Sequence, residues 1–253
     1  MLMKKLLWTA CAAIALTASA GINAEEYVVG TGATYRPFEY ETPQKELVGF
    51  DVDLMRAIAK AEGFDVKFIN TPWEGIFATV DKGDRDIIMS GITITDKRKQ
   101  VVDFSKPYFL AHQLILTDKS VKINKLSDLS KGSVAVVSGS DVAASKAFGK
   151  ASTRIRRFDN TPLALEELNQ GGVVAAIGDI GVLAFYARNN PDKHFNMTRD
   201  PAFEEQYFGI AVKKGNQKLI DKINAGLEKV IASGEYNKIY RKWFGTDAPK
   251  LPQ

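Results

Sequence analysis

An α/β fold of two packed units is predicted by three features: short apolar runs alternate with amphipathic stretches, the alternation occurs twice, and no linker separates the two sets. The first set opens with Tyr27-Val28-Val29-Gly30, a buried strand running into a Gly/Thr loop. Residues 51–61 place Val52, Leu54, Met55, Ile58 and Ala59 at helical spacing, and Gly63 ends that helix. Residues 66–69 read as the next strand, 73–80 as the next helix, and 86–89 as a third strand ending at Ser90-Gly91. Such alternation favours parallel pairing with right-handed crossovers.

The second set begins after Leu114-Ile115-Leu116. Strands are expected at 133–137, 155–158 and 173–177, with helices at 141–148 and 161–170 between them. Residues 201–207 break the pattern, and Gly209-Ile210-Ala211-Val212 is apolar again. Two amphipathic helices close the chain. One carries Leu219, Ile223, Leu227, Val230 and Ile231, and the other Tyr236, Ile239, Tyr240, Trp243 and Phe244. Two α/β units packed without a linker leave a cleft, where ligands usually lie.

Lys4 and Lys5 precede an uncharged stretch from Leu6 to Ala20, the n- and h-regions of a secretory signal. The stretch is shorter than the roughly 20 apolar residues of a spanning helix. Small or apolar residues at Ile22-Asn23-Ala24 suggest a mature chain beginning near Glu25, with Ala18-Ser19-Ala20 as an alternative cut. The single cysteine, Cys11, falls inside this leader, and Trp8-Thr9-Ala10 before it fits a lipid-attachment signal poorly. The mature chain therefore lacks a thiol for a disulfide or a nucleophile. Of 34 basic residues two lie in the leader, which leaves 32 against 30 acidic ones, interspersed and without runs. Nucleic acid is accordingly not an expected partner.

Three strand ends carry candidate chemistry. In Ser90-Gly91-Ile92-Thr93-Ile94-Thr95-Asp96-Lys97-Arg98, a strand ends, Thr95 or Asp96 can cap a helix, and Arg98 falls in its first turn. Backbone N–H groups and a guanidinium then converge, which suits a carboxylate; a capped helix with a solvated arginine is the plainer reading. Ser138-Gly139-Ser140-Asp141 offers further N–H donors or an ordinary cap. Asp179, after the strand at 173–177, either receives an ammonium group or caps the following helix. Tyr35, Trp73 and Glu39 remain, the aromatics as faces for a planar or cationic group or as core, the acid as a contact or an exposed residue. His112 and His194 show no arrangement with a serine nucleophile, Gly30-Thr31-Gly32 lacks the rest of a phosphate loop, and no metal-ligand spacing appears. No cofactor is expected.

Together these stretches resemble the periplasmic solute-binding proteins, family 3, of bacterial polar amino acid ABC uptake systems. The likeness runs through Gly30-Thr31, Tyr35, Pro37-Phe38-Glu39, Val48-Gly49-Phe50-Asp51-Val52-Asp53-Leu54, Gly91 to Arg98, Asp103-Phe104-Ser105, Tyr207-Phe208-Gly209 and Gly234-Glu235-Tyr236 to Trp243-Phe244-Gly245. It covers essentially the whole mature chain in order. The resemblance implies a two-lobed α/β periplasmic binding protein fold with two hinge strands and a discontinuous first lobe. A signal peptide at 1–24, first lobe at 25–111 and 207–253, and second lobe at 112–206 would follow. By matching position, Arg98 and the Thr93 backbone would hold an α-carboxylate, with N–H groups near Ser140 and Asp141. Asp179, the Gly91 carbonyl and the Thr93 hydroxyl would take the α-ammonium, and Tyr35 and Trp73 would flank the side chain. Ser90 belongs to the same set. The implied partners are a free amino acid and a membrane permease, and the protein itself would be a monomer.

Two positions depart from the family. Gly32 stands where basic-amino-acid and glutamine binders often carry Asp, and Asp141 where Thr or a small residue is usual. Asp141 is therefore expected to cap outward. Glu39 is the candidate replacement for the missing acid, which favours arginine. Other functions share the scaffold. A cyclohexadienyl dehydratase-like enzyme would need an acid poised for proton transfer, for which Glu39 and Asp141 are the candidates. A receptor sensor domain or a lytic transglycosylase relative would need a further spanning or catalytic segment.

Overall fold

The computed structural model describes residues 24–129, 132–137 and 154–252. Two five-stranded sheets organise them. The first contains β1 (Glu26–Thr31), β5 (Asp65–Asn70), β6 (Ile87–Ile88), β7 (Val102–Phe104) and β15 (Ala211–Lys213), in the order β5-β1-β6-β15-β7. The second contains β9 (Gln113–Asp118), β10 (Val134–Val137), β11 (Ile155–Phe158), β12 (Ala175–Asp179) and β13 (Phe195–Thr198), in the order β11-β10-β12-β9-β13. Between the two lobes, β8 (Phe109–Ala111) and β14 (Gln206–Phe208) pair antiparallel as hinge strands. A small meander joins β2 (Thr34–Tyr35), β3 (Glu39–Glu41) and β4 (Leu47–Val48).

Both sheets are mixed, where the strand-helix alternation favoured parallel pairing. β1 runs parallel to β5 and β6, and β10 runs parallel to β11 and β12. β9 and β15 are antiparallel to both of their neighbours. These two strands continue from β8 and β14. A chain crossing between lobes enters each sheet from the hinge end, opposite to a strand fed by a crossover helix.

The described helices are α1 (Phe50–Glu62), α2 (Ile76–Lys82), α3 (Asp96–Lys99), α4 (Thr161–Asn169), α5 (Ile180–Arg188), α6 (Gln217–Ala232) and α7 (Glu235–Phe244). None among the described residues is long and apolar enough to cross a membrane. The largest core gathers α1, α6 and α7 on the first sheet, with Phe38 at its centre. Rings of Phe50, Phe109, Phe208 and Phe244 surround Phe38 at centroid distances of 4.8–6.1 Å. Phe109 and Phe208, one from each hinge strand, stack at 5.5 Å. The hinge is thus anchored in the first lobe by aromatic side chains whose burial contributes about 1.5–3 kcal/mol each.

The second lobe meets this core at Gly181. A Cβ there would stand 2.8 Å from Phe38 Cζ and 3.1 Å from the Phe244 ring, so the approach requires glycine. At the other end of α5, Arg188 donates to the carbonyls of Trp243 and Phe244, both at 2.9 Å.

Two element boundaries differ from the sequence expectation and move site residues. α2 starts at Ile76 instead of Trp73, because Gly75 adopts a left-handed φ of 79° and interrupts the helix. Trp73 is left in the preceding turn. β12 runs to Asp179, two residues beyond the expected strand, and Asp179 also caps α5. The helix expected at 141–148 and the leader through residue 23 lie outside the described residues.

Candidate ligand-binding site

The stretch after β6 builds one wall of the site. Ile94 N–H donates to Tyr207 O at 2.8 Å and Gly209 N–H to Ile92 O at 3.0 Å, which seats residues 92–94 on hinge strand β14. Thr95 caps α3, its Oγ1 accepting from Arg98 N–H at 3.2 Å. α3 is only four residues long, so the helix dipole adds little here and the guanidinium carries the charge.

Arg98 Nη1 donates to the Thr93 carbonyl at 2.8 Å. Its Cζ lies 5.1 Å from the Trp73 ring centroid and 5.7 Å from that of Phe77. Two aromatic faces and a carbonyl hold the side chain in place while using few of its five donors. Burial pulls the guanidinium below its ordinary range, and Tyr35 opposes that shift. Phe77 was missed at the sequence level, because as the second residue of an apolar helix start it reads as core.

Gly91 is where the second aromatic rests. Its φ is +54°, and a Cβ on it would stand 2.7 Å from Tyr35 Cε1. Only glycine provides both that conformation and the space for the ring. Tyr35 is stacked on Phe38 at 5.5 Å, which ties it to the core.

Behind Ser90 and Gly91 lie two buried acids, and only one was anticipated. Glu39 is 1% exposed, and its Oε1 accepts from Ser90 Oγ at 2.7 Å. The same Ser90 hydroxyl accepts Gly32 N–H at 3.0 Å. From the sequence, Glu39 was either a ligand contact or an exposed residue. The structure buries it on β3, between β2 and β4, with Ser90 as its hydrogen-bond partner, which removes the exposed alternative. Asp51, in the first turn of α1, is also 1% exposed. Its Oδ2 accepts from Gly91 N–H and from Tyr108 Oη, both at 2.8 Å. Burial, the neighbouring Asp51 charge and a hydrogen bond with Asp51 push Glu39 well above the usual carboxylate range. Asp51 is raised to about 7 by burial, against the lowering effect of its Gly91, Tyr108 and Glu39 hydrogen bonds. A first-turn acid usually serves a helix N-terminus at the surface, so nothing in the local sequence marked Asp51.

Across the cleft, Asp179 is 1% exposed. Its Oδ1 accepts Gly181 N–H at 2.8 Å, while Oδ2 is buried without a partner. Burial raises the carboxyl to about 7, opposed by the Gly181 bond. Gln113 stands opposite it in the β9–β12 register, with its own Oε1 unpartnered. Tyr35 of the first lobe and Gly178, Asp179, Val182 and Leu165 of the second line one small cavity. The structure therefore brings together Tyr35, Trp73, Ser90, Gly91, Thr93 and Arg98 on one lobe and faces Tyr35 with Asp179 from the other. Ser140 and Asp141 lie outside the described residues.

The comparisons agree with this architecture. A family model described as bacterial extracellular solute-binding proteins, family 3, matches residues 27–246. A probable histidine-binding protein of Neisseria gonorrhoeae is 41% identical over 251 residues, covering 94% of this chain and 94% of its own. The arginine-binding extracellular protein ArtP of Bacillus subtilis (strain 168) is 32% identical over 258 residues, covering 96% of this chain and 98% of its own. Among solved structures, the arginine-, lysine-, histidine-binding protein ArtJ of Geobacillus stearothermophilus has a TM-score of 0.82 at 42% identity, over 89% of this chain and 97% of that one. With a match across nearly its whole described length and the two-lobed hinge architecture in place, the chain belongs to the bacterial extracellular solute-binding proteins, family 3.

Proposed function

We propose that the chain is the amino-acid-binding component of an ABC uptake transporter and that its ligand is a cationic amino acid, arginine foremost. One observation carries the reading: Tyr35 of the first lobe and Asp179 of the second line one cavity, and a buried Asp179 oxygen there has no partner, while Arg98 lies on the lobe of Tyr35. An amino acid presents a carboxylate and an ammonium group. Arg98 matches the first, and the unpartnered oxygen of Asp179 matches the second. Thr93, Gly91 and the N–H groups near Ser140 and Asp141 complete the clamp.

A charge count supports a cationic side chain. The ligand carboxylate offsets Arg98 and the ligand ammonium offsets Asp179. The Glu39–Asp51 pair then leaves negative charge beneath Ser90, and Tyr35 and Trp73 supply faces for a planar guanidinium. The relative named for arginine points the same way. Of the two acids that turnover could use, Glu39 is buried and held by Ser90, which favours binding at that position, and Asp141 lies outside the described residues. On this reading the leader takes the chain to the periplasm. Ligand contacts to both lobes favour closure about β8 and β14, and the closed form, a monomer, delivers its amino acid to the permease.

Calorimetry against arginine, lysine, histidine and glutamine tests it. Arginine should bind most tightly. Glutamine or histidine binding far more tightly would overturn the arginine assignment, and no binding at all would overturn the amino-acid reading. Arg98→Ala should weaken binding roughly 100-fold or more by leaving a buried carboxylate unpaired, and unchanged affinity would remove Arg98 from the site.

A further inference from the structure

Glu39 and Asp51 are two carboxyl groups in contact inside the first lobe, each with one buried oxygen that accepts no hydrogen bond from any other group. Glu39 leaves Oε2 and Asp51 leaves Oδ1. Their other oxygens are engaged, by Ser90 on one side and by Gly91 and Tyr108 on the other. Without a cation nearby, two bare carboxylates do not share a dry site, whereas a carboxylic acid donating to a carboxylate satisfies both remaining oxygens. The donors place the proton on Glu39. Asp51 already accepts from two other groups, and Glu39 from one.

The pair also touches the ligand site. Each acid holds one of the two adjacent residues Ser90 and Gly91. A Cβ on Gly32 would stand 3.8 Å from Glu39 Oε1 and 3.2 Å from Ser90 Oγ, so the absence of a side chain at position 32 leaves the carboxyl behind a thin layer. The titratable groups facing the pair are Tyr35, Tyr108 and Tyr236, with Arg98 and Asp179 reaching it through Tyr35. The tyrosines are raised by burial and stay neutral alongside it.

We propose that Glu39 and Asp51 together hold one proton and release it to solvent when a cationic side chain enters the site, which makes the pair the element that separates cationic from neutral amino acids. A positive charge arriving near two carboxyl groups favours their fully ionised form. The O–H bond of Glu39 breaks, the proton goes to the buffer, and two carboxylates remain. The network survives this change, because Ser90 still donates to Glu39 and Gly91 and Tyr108 still donate to Asp51. A neutral side chain brings no such charge, and the proton stays. Asp179 contributes equally to every amino acid, since each presents the same ammonium group to it.

The inference rests on the amino-acid reading above, and the test separates the two. Arginine and glutamine are titrated calorimetrically into the full chain in two buffers of different ionisation enthalpy, which counts protons released on binding. Arginine should release up to about one proton more than glutamine. The arginine-to-glutamine affinity ratio should rise with pH by up to about tenfold per unit while the pair still holds its proton. Glu39→Gln keeps an acceptor for Ser90 and a donor for Asp51 but has no proton to lose. It should fold as stably as the parent and erase both differences, with the affinity ratio becoming independent of pH. Equal proton counts for the two ligands in the parent protein would overturn the proposal. So would a difference that persists in Glu39→Gln. An infrared carbonyl band of one protonated buried carboxyl, present in the ligand-free parent and lost in Glu39→Gln, is expected whichever amino acids bind. Its absence at neutral pH would overturn the shared proton itself, while binding of neither ligand with the band intact would overturn the amino-acid reading and leave the shared proton standing.

Discussion

The acids on the two sides of the cleft are equally buried and differently used. Glu39 and Asp51 have Ser90, Gly91, Tyr108 and each other. Asp179 has one backbone N–H and a second oxygen with nothing on it. A pair of buried carboxyls whose other oxygens hold Ser90, Gly91 and Tyr108 organises its surroundings. A carboxyl left half-satisfied costs stability in the free protein and is ready for a partner from outside. The first lobe thus spends its acids on shaping the loop at Ser90-Gly91, and the second keeps its acid open.

The contrast can be broken most forcefully at Asp179. Asp179→Asn keeps an oxygen for Gly181 but removes the charge, and amino-acid affinity should fall roughly 100-fold or more. Stability of the free protein should hold or rise, as read from urea unfolding. Asp51→Ala should show the reverse balance, losing about 2–3 kcal/mol of unfolding free energy because Gly91, Tyr108 and Glu39 lose their common partner. A small stability loss with a large affinity loss there would make Asp51 a ligand group and erase the distinction.

A pH series sharpens the comparison further. Asp179 titrates near 7 in the folded chain, against 3.8 for an ordinary aspartate. Between those values the folded state holds a proton that the unfolded state has released. Stability of the ligand-free protein therefore falls as pH rises through that window, by up to about 1.4 kcal/mol per pH unit from this group, and the loss is complete above it. Asp179→Asn should remove that share of the slope and leave the share from Glu39 and Asp51, both of which are also raised. An unchanged slope in urea midpoints would show that Asp179 does not titrate there. The smallest effect is expected at Trp73. Trp73→Ala removes one of two aromatic faces from Arg98, and affinity should drop about 3- to 10-fold, in line with roughly 0.5–2 kcal/mol for such contacts.

These residues differ in how visible they were. Arg98 and Thr95 stood out because capping and charge at a strand end are local patterns, readable within nine residues. Asp179 was found for the same reason, although its strand proved to lie two residues further along the chain. Glu39 was noticed as an acid, but its burial against Ser90 was not, since how far a side chain on a short strand is covered depends on residues distant in the chain. Asp51 and Phe77 were invisible as site residues. Each sits in a helical pattern whose ordinary explanation, first-turn acid or core aromatic, is complete without a partner elsewhere.

The sequence by itself determined the α/β alternation, a helix cap at Thr95 or Asp96 and the charges available to an amino acid. All of these follow from backbone preference and periodicity over a few neighbouring residues. Only the tertiary structure decided that both sheets are mixed, that the Trp73 and Phe77 rings lie against Arg98, and that Glu39 meets Asp51 behind Ser90. Those depend on contacts between residues far apart in the chain and on burial, which sets what a charge costs and which proton it keeps.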